Sequence, residues 1–170
     1  MFFNTLRVTA QPSLLTRIIF LCGLHSIAIA DVAGQVTAVV GQVEIISGNA
    51  TRSVFKGDLI HDGETIDALN DDSKVQMMLS DGTVIIVHPS TQLEIESYAF
   101  ERNKPENNKS HLRLNKGSIR AINGEIAKHT LSNAQLSTPI GILKFKQSDY
   151  SATLNDNSLI VTVQQGSIDF

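Results

Sequence analysis

Leu79-Ser-Asp-Gly-Thr-Val-Ile-Ile-Val-His-Pro-Ser-Thr-Gln-Leu-Glu-Ile95 is the stretch whose pattern decides the fold. Ahead of it, Val75, Met77 and Leu79 alternate with Gln76, Met78 and Ser80, which gives a strand with one apolar and one mixed face. Asp81-Gly82 then has the residue types of a two-residue type I′ turn, where both central residues take positive φ. Thr83-Val-Ile-Ile-Val87 is β-branched with little polar relief, as expected of a strand buried on both faces. Pro89 stops that strand, and Leu93-Glu-Ile-Glu96 resumes the alternation toward Tyr98 and Phe100.

Outward from this hairpin the same grammar continues. A polar tract, Glu101–His111, is too hydrophilic to bury and long for a hairpin loop. Leu112-Arg-Leu114 enters the next predicted strand, which turns at Asn115-Lys116-Gly117 and leaves through Ile119 to Ile122. Pro139 and Gly141 bracket a short strand containing Ile140, Ile142, Leu143 and Phe145. Tyr150–Leu154 and Leu159–Val163 form a hairpin joined at Asn155-Asp-Asn-Ser158. No segment sustains an i, i+3, i+4, i+7 apolar pattern; Ala121–Gln135 comes nearest and is broken by Gly124. Gly34-Gln-Val recurs at Gly41, and Gly117-Ser-Ile recurs at Gly166, at spacings too irregular for a counted repeat. The expectation is a single compact all-β domain, solenoid-like or a roll.

The chain has 170 residues, enough for one domain. Its N-terminus has the features of a secretory signal. Arg7 and Arg17 are basic, no acidic residue precedes Asp31, and Ile18–Ala30 is apolar and ends in the A-x-A cleavage pattern of Ala28 and Ala30. The apolar run is about 13 residues and contains His25, against the ~20 that a spanning helix needs; an uncleaved anchor is the competing reading. Residues 1–30 are therefore expected to be a signal peptide and residues 31–170 the mature domain, periplasmic or secreted, with no stable membrane insertion after cleavage. The single cysteine, Cys22, lies in the leader behind Phe20 and Leu21, which do not fit a lipidation motif. A mature chain has no thiol, and so no disulfide and no thiolate ligand.

Net charge is −3, and loss of the two leader arginines makes the mature domain more negative by two charges. That balance argues against nucleic acid and anionic lipid, both of which require concentrated basic surface. Catalytic signatures do not emerge. His61, His88, His111 and His129 have no metal-ligand spacing, and Asp67–Ser73 lacks the spaced oxygens of a calcium loop and reads as a turn held by Asn and Asp side chains. No G-x-S-x-G elbow and no glycine-rich phosphate loop occur. Glu94 and Glu96 share one strand face, which suits exposed glutamates on an edge strand better than a paired-carboxylate site. The expectation is a non-enzymatic binding module with no catalytic, metal or cofactor residues.

The ordered series Gly41-Gln-Val-Glu-Ile, Lys56-Gly-Asp-Leu-Ile, Gly63-Glu-Thr-Ile, Ser73-Lys-Val-Gln-Met-Met-Leu, Asp81-Gly-Thr, Lys116-Gly-Ser-Ile, Ser137-Thr-Pro and Gln165-Gly-Ser-Ile resembles the FecR domain family. The resemblance implies an all-β periplasmic domain. In the named regulators of that family it senses a signal from an outer-membrane iron-siderophore receptor and passes it to a sigma factor. Those regulators carry a cytoplasmic segment and a membrane helix ahead of the domain, where this chain has a signal-like leader. Many stand-alone relatives continue after Thr-Pro with Gly-Ile-Arg-Gly-Thr-Asp; here Leu143-Lys-Phe-Lys-Gln-Ser-Asp149 keeps the Asp and loses the Gly.

The resulting expectation is an exported module that contacts another cell-envelope protein. Alternatives are a component of an iron-siderophore receptor and sigma-factor pathway, or a cell-wall or polysaccharide binder with Tyr98, Phe100 and Tyr150 as stacking platforms. Asp81, Gly82, Lys116 and Gly117 are expected at structural turns. Arg102, Lys104, Glu106 and Lys109 form the candidate interaction loop, and the exposed sheet edge is the rival surface.

Overall fold

The computed structural model describes residues 31–129 and 133–170; the leader, with Ala28 and Ala30, lies outside the described residues. Twelve strands occur: β1 Val32–Val40, β2 Val43–Ser47, β3 Ala50–Ser53, β4 Leu59–His61, β5 Thr65–Ala68, β6 Lys74–Leu79, β7 Val84–Val87, β8 Thr91–Ala99, β9 Lys109–Ile122, β10 Ala134–Ser137, β11 Ile142–Asn155 and β12 Ser158–Asp169. A single helical turn, α1 (Ile126–His129), falls inside Ala121–Gln135. No helix among the described residues is long and apolar enough to cross a membrane.

The strands form one curled sheet in the order β3-β2-β5-β8-β9-β7-β6-β1-β4, with β10, β11 and β12 added on the other side of β9. All pairings are antiparallel except β10 on β9. The register shows how the sheet is folded over. β1 runs into β2, β5 into β6 and β7 into β8, each through a short corner, while β9 passes its own corner without interruption. One half of each pair therefore lies in a layer β2-β5-β8 with the first half of β9. The other half lies in a layer β1-β6-β7 with the second half of β9. The inward side chains of both layers, including Ile45, Ile66, Leu93, Ile95, Leu114, Met77, Ile85 and Ile119, form a single core and are buried to within 1% of full coverage. That alternation of buried and exposed positions is the packing that stabilises a two-layer β domain.

Three corners use one device. Gly41, Gly117 and Gly166 take positive φ, and each lies against the backbone of a buried hydroxyl residue on the facing chain: Ser73 just before β6, Thr91 of β8 and Ser148 of β11. The hydroxyls bind the residue after the glycine. Gln42 N–H donates to Ser73 Oγ (3.0 Å), Ser118 N–H donates to Thr91 Oγ1 (2.8 Å), and Ser148 Oγ donates to the Ser167 carbonyl (2.8 Å). The weak self-similarity of the sequence is thus a repeated corner.

Several expectations need correction. The β6–β7 loop is Ser80-Asp81-Gly82, with only Gly82 at positive φ (85°), so it is a three-residue turn with a glycine bulge and not type I′. Asp81 stays at negative φ because its carboxylate turns back to accept the Thr83 N–H (3.0 Å). Thr83–Val87 is not buried on both faces: Ile85 and Val87 are buried, whereas Val84 and Ile86 are half-buried. Lys116 and Gly117 are not at a turn between strands; they lie inside β9, where a bulge and Gly117 bend it. Pro139 and Gly141 do not bracket a strand but form the tight turn from β10 to β11, closed by Thr138 N–H to the Gly141 carbonyl (2.9 Å).

Candidate interaction site

The polar tract leaves β8 and returns through a 3-10 turn, Pro105–Asn107, to β9. Every residue from Glu101 to Asn107 is exposed, and so is Lys109. Lys109 is already the first residue of β9, paired with Ala99, so the tract ends earlier than its polarity suggests. Arg102, Lys104 and Glu106 stand on the loop itself. The loop is fastened from inside by buried Asn108, which accepts the Glu101 N–H at 2.6 Å, and on its exposed side Lys104 meets Glu101 at 3.0 Å. A buried amide that ties two chain ends together fixes a loop that its composition alone leaves free. Nothing in the sequence marks Asn108 apart from its polar neighbours.

The outer face of the β5-β8-β9 layer carries a second polar surface. β8 is paired on both sides, so Glu94 and Glu96 are not on an edge strand as expected. Arg113 lies beside both, with its guanidinium on Glu96 and 3.8 Å from Glu94, and Ser137 donates to Glu96 at 3.0 Å. One guanidinium thus bridges the two carboxylates and offsets one of their two negative charges. Nearby, Gln92 donates to buried Asp67 at 3.0 Å and Lys116 approaches it at 3.7 Å. Arg120 grips Asp149 with two bonds, 3.1 and 3.0 Å long, which hold its carboxyl below the usual range.

In the turn between β6 and β7, Asp81 is a buried hub. Its carboxylate accepts from Thr83 N–H and Oγ1 (both 3.0 Å), from Tyr98 Oη (3.2 Å) and from Ile126 N–H (3.2 Å). Burial, with Asp81 close by, pushes the Tyr98 hydroxyl well above its ordinary value. An extra residue at Glu96–Ser97 turns Tyr98 inward after Ile95, where simple alternation would leave it outside. Tyr98 and Tyr150 are 3% and 1% exposed, and Tyr150 stacks on Phe145 at 3.9 Å. Neither is a platform for a sugar ring.

The acidic turn is held by Asn and Asp side chains as expected, with Ser73 added: Asn70 Nδ2 donates to Gln42 Oε1 at 3.0 Å. Asn70 N–H donates to Ser73 Oγ (3.2 Å), and Asp71 accepts from Ser90 (3.0 Å). Among the described residues no three His, Cys, Asp or Glu side chains converge to hold a metal ion. His61 lies 3.6 Å from Glu64, and burial beside Lys74 lowers the pKa of His88.

The last surface is β12, which among the described residues pairs with β11 alone. Beside it runs an apolar groove of about 470 Å³, lined by Ile140, Leu143, Leu159, Val161, Val163 and Phe170 among others.

No curated protein matches the chain. The family model described as FecR protein matches residues 68–169. The match opens at the end of β5, while β1 to β4 complete the same sheet by pairing with β6 and β5. The matched segment contains the hub at Asp81, the tract, the bent β9 and the β11–β12 hairpin, more than half of the chain, and the protein belongs to the FecR family.

Proposed function

We propose that this protein is an exported, non-catalytic module of the cell envelope that contacts another envelope protein through the loop Glu101–Asn107. The reading rests on the family and on one observation, that the loop is exposed throughout yet held in shape from beneath by Asn108. A preformed loop loses little conformational freedom on binding, and its mixed charges suit a polar contact that weakens with salt. The family's link to iron-siderophore signalling makes a receptor or a sigma-pathway component the class of partner. The basic leader ending at Ala28-Ile-Ala30 supports export, with Asp31 as the mature N-terminus.

The test is a triple substitution, Arg102→Ala, Lys104→Ala and Glu106→Ala, which leaves Asn108 and β9 untouched. Used as bait against envelope extract, the variant is expected to lose the partner captured by the parent while keeping its circular dichroism and melting temperature. Equal capture by both chains removes the loop from the proposal. N-terminal sequencing of the same preparation is expected to begin at Asp31; recovery of intact Met1 contradicts export by cleavage.

A further inference from the structure

β12 is the long strand that this sheet leaves open. The edges at β3 and β4 are short, and Arg52 of β3 is tied to Asp58 at 3.1 Å and to Glu64 at 3.6 Å. Such short, charged edges discourage strand addition. β12 has twelve residues and among the described residues pairs with β11 alone, and no charged residue or proline lies between Asn157 and Ser167.

We propose that a second copy of this chain adds to the β12 edge, antiparallel and two-fold symmetric, centred on Val161. The β11–β12 register supplies the geometry. Asn155 and Ser158 face each other across a two-residue turn, and pairing continues without a shift from there to Tyr150 and Val163. In a two-residue hairpin the closing pair is hydrogen-bonded, and bonding then alternates along the strand. Leu159, Val161 and Val163 therefore aim their backbone N–H and C=O groups away from β11, toward the open edge.

The regular stretch of the strand ends at the register shift near Gln165 and Gly166, where the corner bends it away. What remains straight is Ser158–Gln164, whose middle residue is Val161. A two-fold axis there pairs Val161 with its symmetry mate and Leu159 with Val163, all outward-bonding residues. An axis displaced by half a residue would face them with inward-bonding ones. The same axis keeps both copies' groove-facing side chains on one face, so the two apolar grooves adjoin.

Charge favours a second copy over an arbitrary strand. The chain is acidic overall, at −3, yet the seven paired residues carry no charge. The axis directs Asp156 of each copy toward the far end of the other's straight stretch, where the neighbouring strand carries exposed Lys146 and an Asp149 already held by Arg120. By symmetry each end of the contact brings one copy's Asp156 toward the other's Lys146. The interface is isologous, so it closes at a dimer.

The test uses the chain purified as it accumulates in the expressing cell. Sedimentation at rising concentration is expected to give a monomer–dimer equilibrium. Amide exchange followed by NMR is expected to show protection of Leu159, Val161 and Val163 that grows with concentration, while Ile160 and Thr162 stay protected at all concentrations. Ile160→Lys, at a side chain 58% exposed, is expected to weaken association at least tenfold with an unchanged fold. Val163→Pro removes one outward N–H without taking a bond from β11, and is expected to act likewise. A chain monomeric up to about 1 mM overturns the proposal. So does a dimer in which the three outward amides remain unprotected, or protection that appears only when envelope extract is added.

Discussion

Gln147 sits at φ 46°, in the left-handed region that side chains other than glycine and asparagine avoid, at the position where stand-alone relatives carry Gly before Thr-Asp. The departure in sequence therefore leaves the corner itself in place and adds strain to it. Gln147→Gly is expected to stabilise the fold by roughly 0.5–1 kcal/mol, the relief of strain exceeding the extra freedom of glycine in the unfolded chain. A denaturant midpoint that falls would contradict this. The two glycines expected at turns separate in the same way. Gly82 has φ 85° and open space where a Cβ would stand, so Gly82→Ala should cost about 1 kcal/mol, from backbone strain alone. At Gly117 an added Cβ would also meet Thr91 Cα at 2.7 Å, deep in the crease between layers. Gly117→Ala is expected to cost roughly 3 kcal/mol or more. Equal melting temperatures for the two variants would refute the corner account. From the sequence both glycines look like turn residues, because periodicity reports that the chain bends and not what lies against the bend.

Among elements, the loop Glu101–Asn107 depends on a residue outside it. Asn108→Ala removes the acceptor for Glu101 N–H from a buried position and is expected to cost about 1–3 kcal/mol. Exchange of the Glu101 amide should accelerate with it, and partner capture should weaken even though Arg102, Lys104 and Glu106 are intact. Unchanged exchange would mean that the loop is held by its Lys104–Glu101 ion pair instead. Strand existence was legible wherever apolar and polar residues alternate, as in β6, the first half of β8 and the β11–β12 hairpin. Strand continuity was not. Asn115-Lys116-Gly117 has turn chemistry, yet β9 runs through it because β8 and β10 pair on one side of the bend and β7 and β11 on the other. Pro139 and Gly141 failed as strand boundaries for the converse reason: neighbouring isoleucines suggested a strand where Thr138 closes a turn.

For the whole molecule, the all-β class and the family were both legible, since each rests on an ordered set of local patterns that survives errors at single turns. The candidate site was legible only in outline. Polarity marked the tract, but the buried Asn108 and the bulge that turns Tyr98 inward are tertiary facts. The open edge of β12 was foreseen only as an edge of unspecified identity, because which strand ends a sheet is decided by partners far away in sequence. The crease through Gly41, Ser73, Thr91 and Gly117 has a mechanical meaning. Among the described residues the layers are joined by continuous backbone in six places, at β1–β2, β5–β6, β7–β8 and within β9, β11 and β12, so they resemble a clasp more than two stacked plates. Pulling on one layer loads the other through covalent bonds before any side-chain contact slips. Under tension between the ends of the described domain, rupture is expected as one event in force spectroscopy. Two separate steps would show that the layers yield independently.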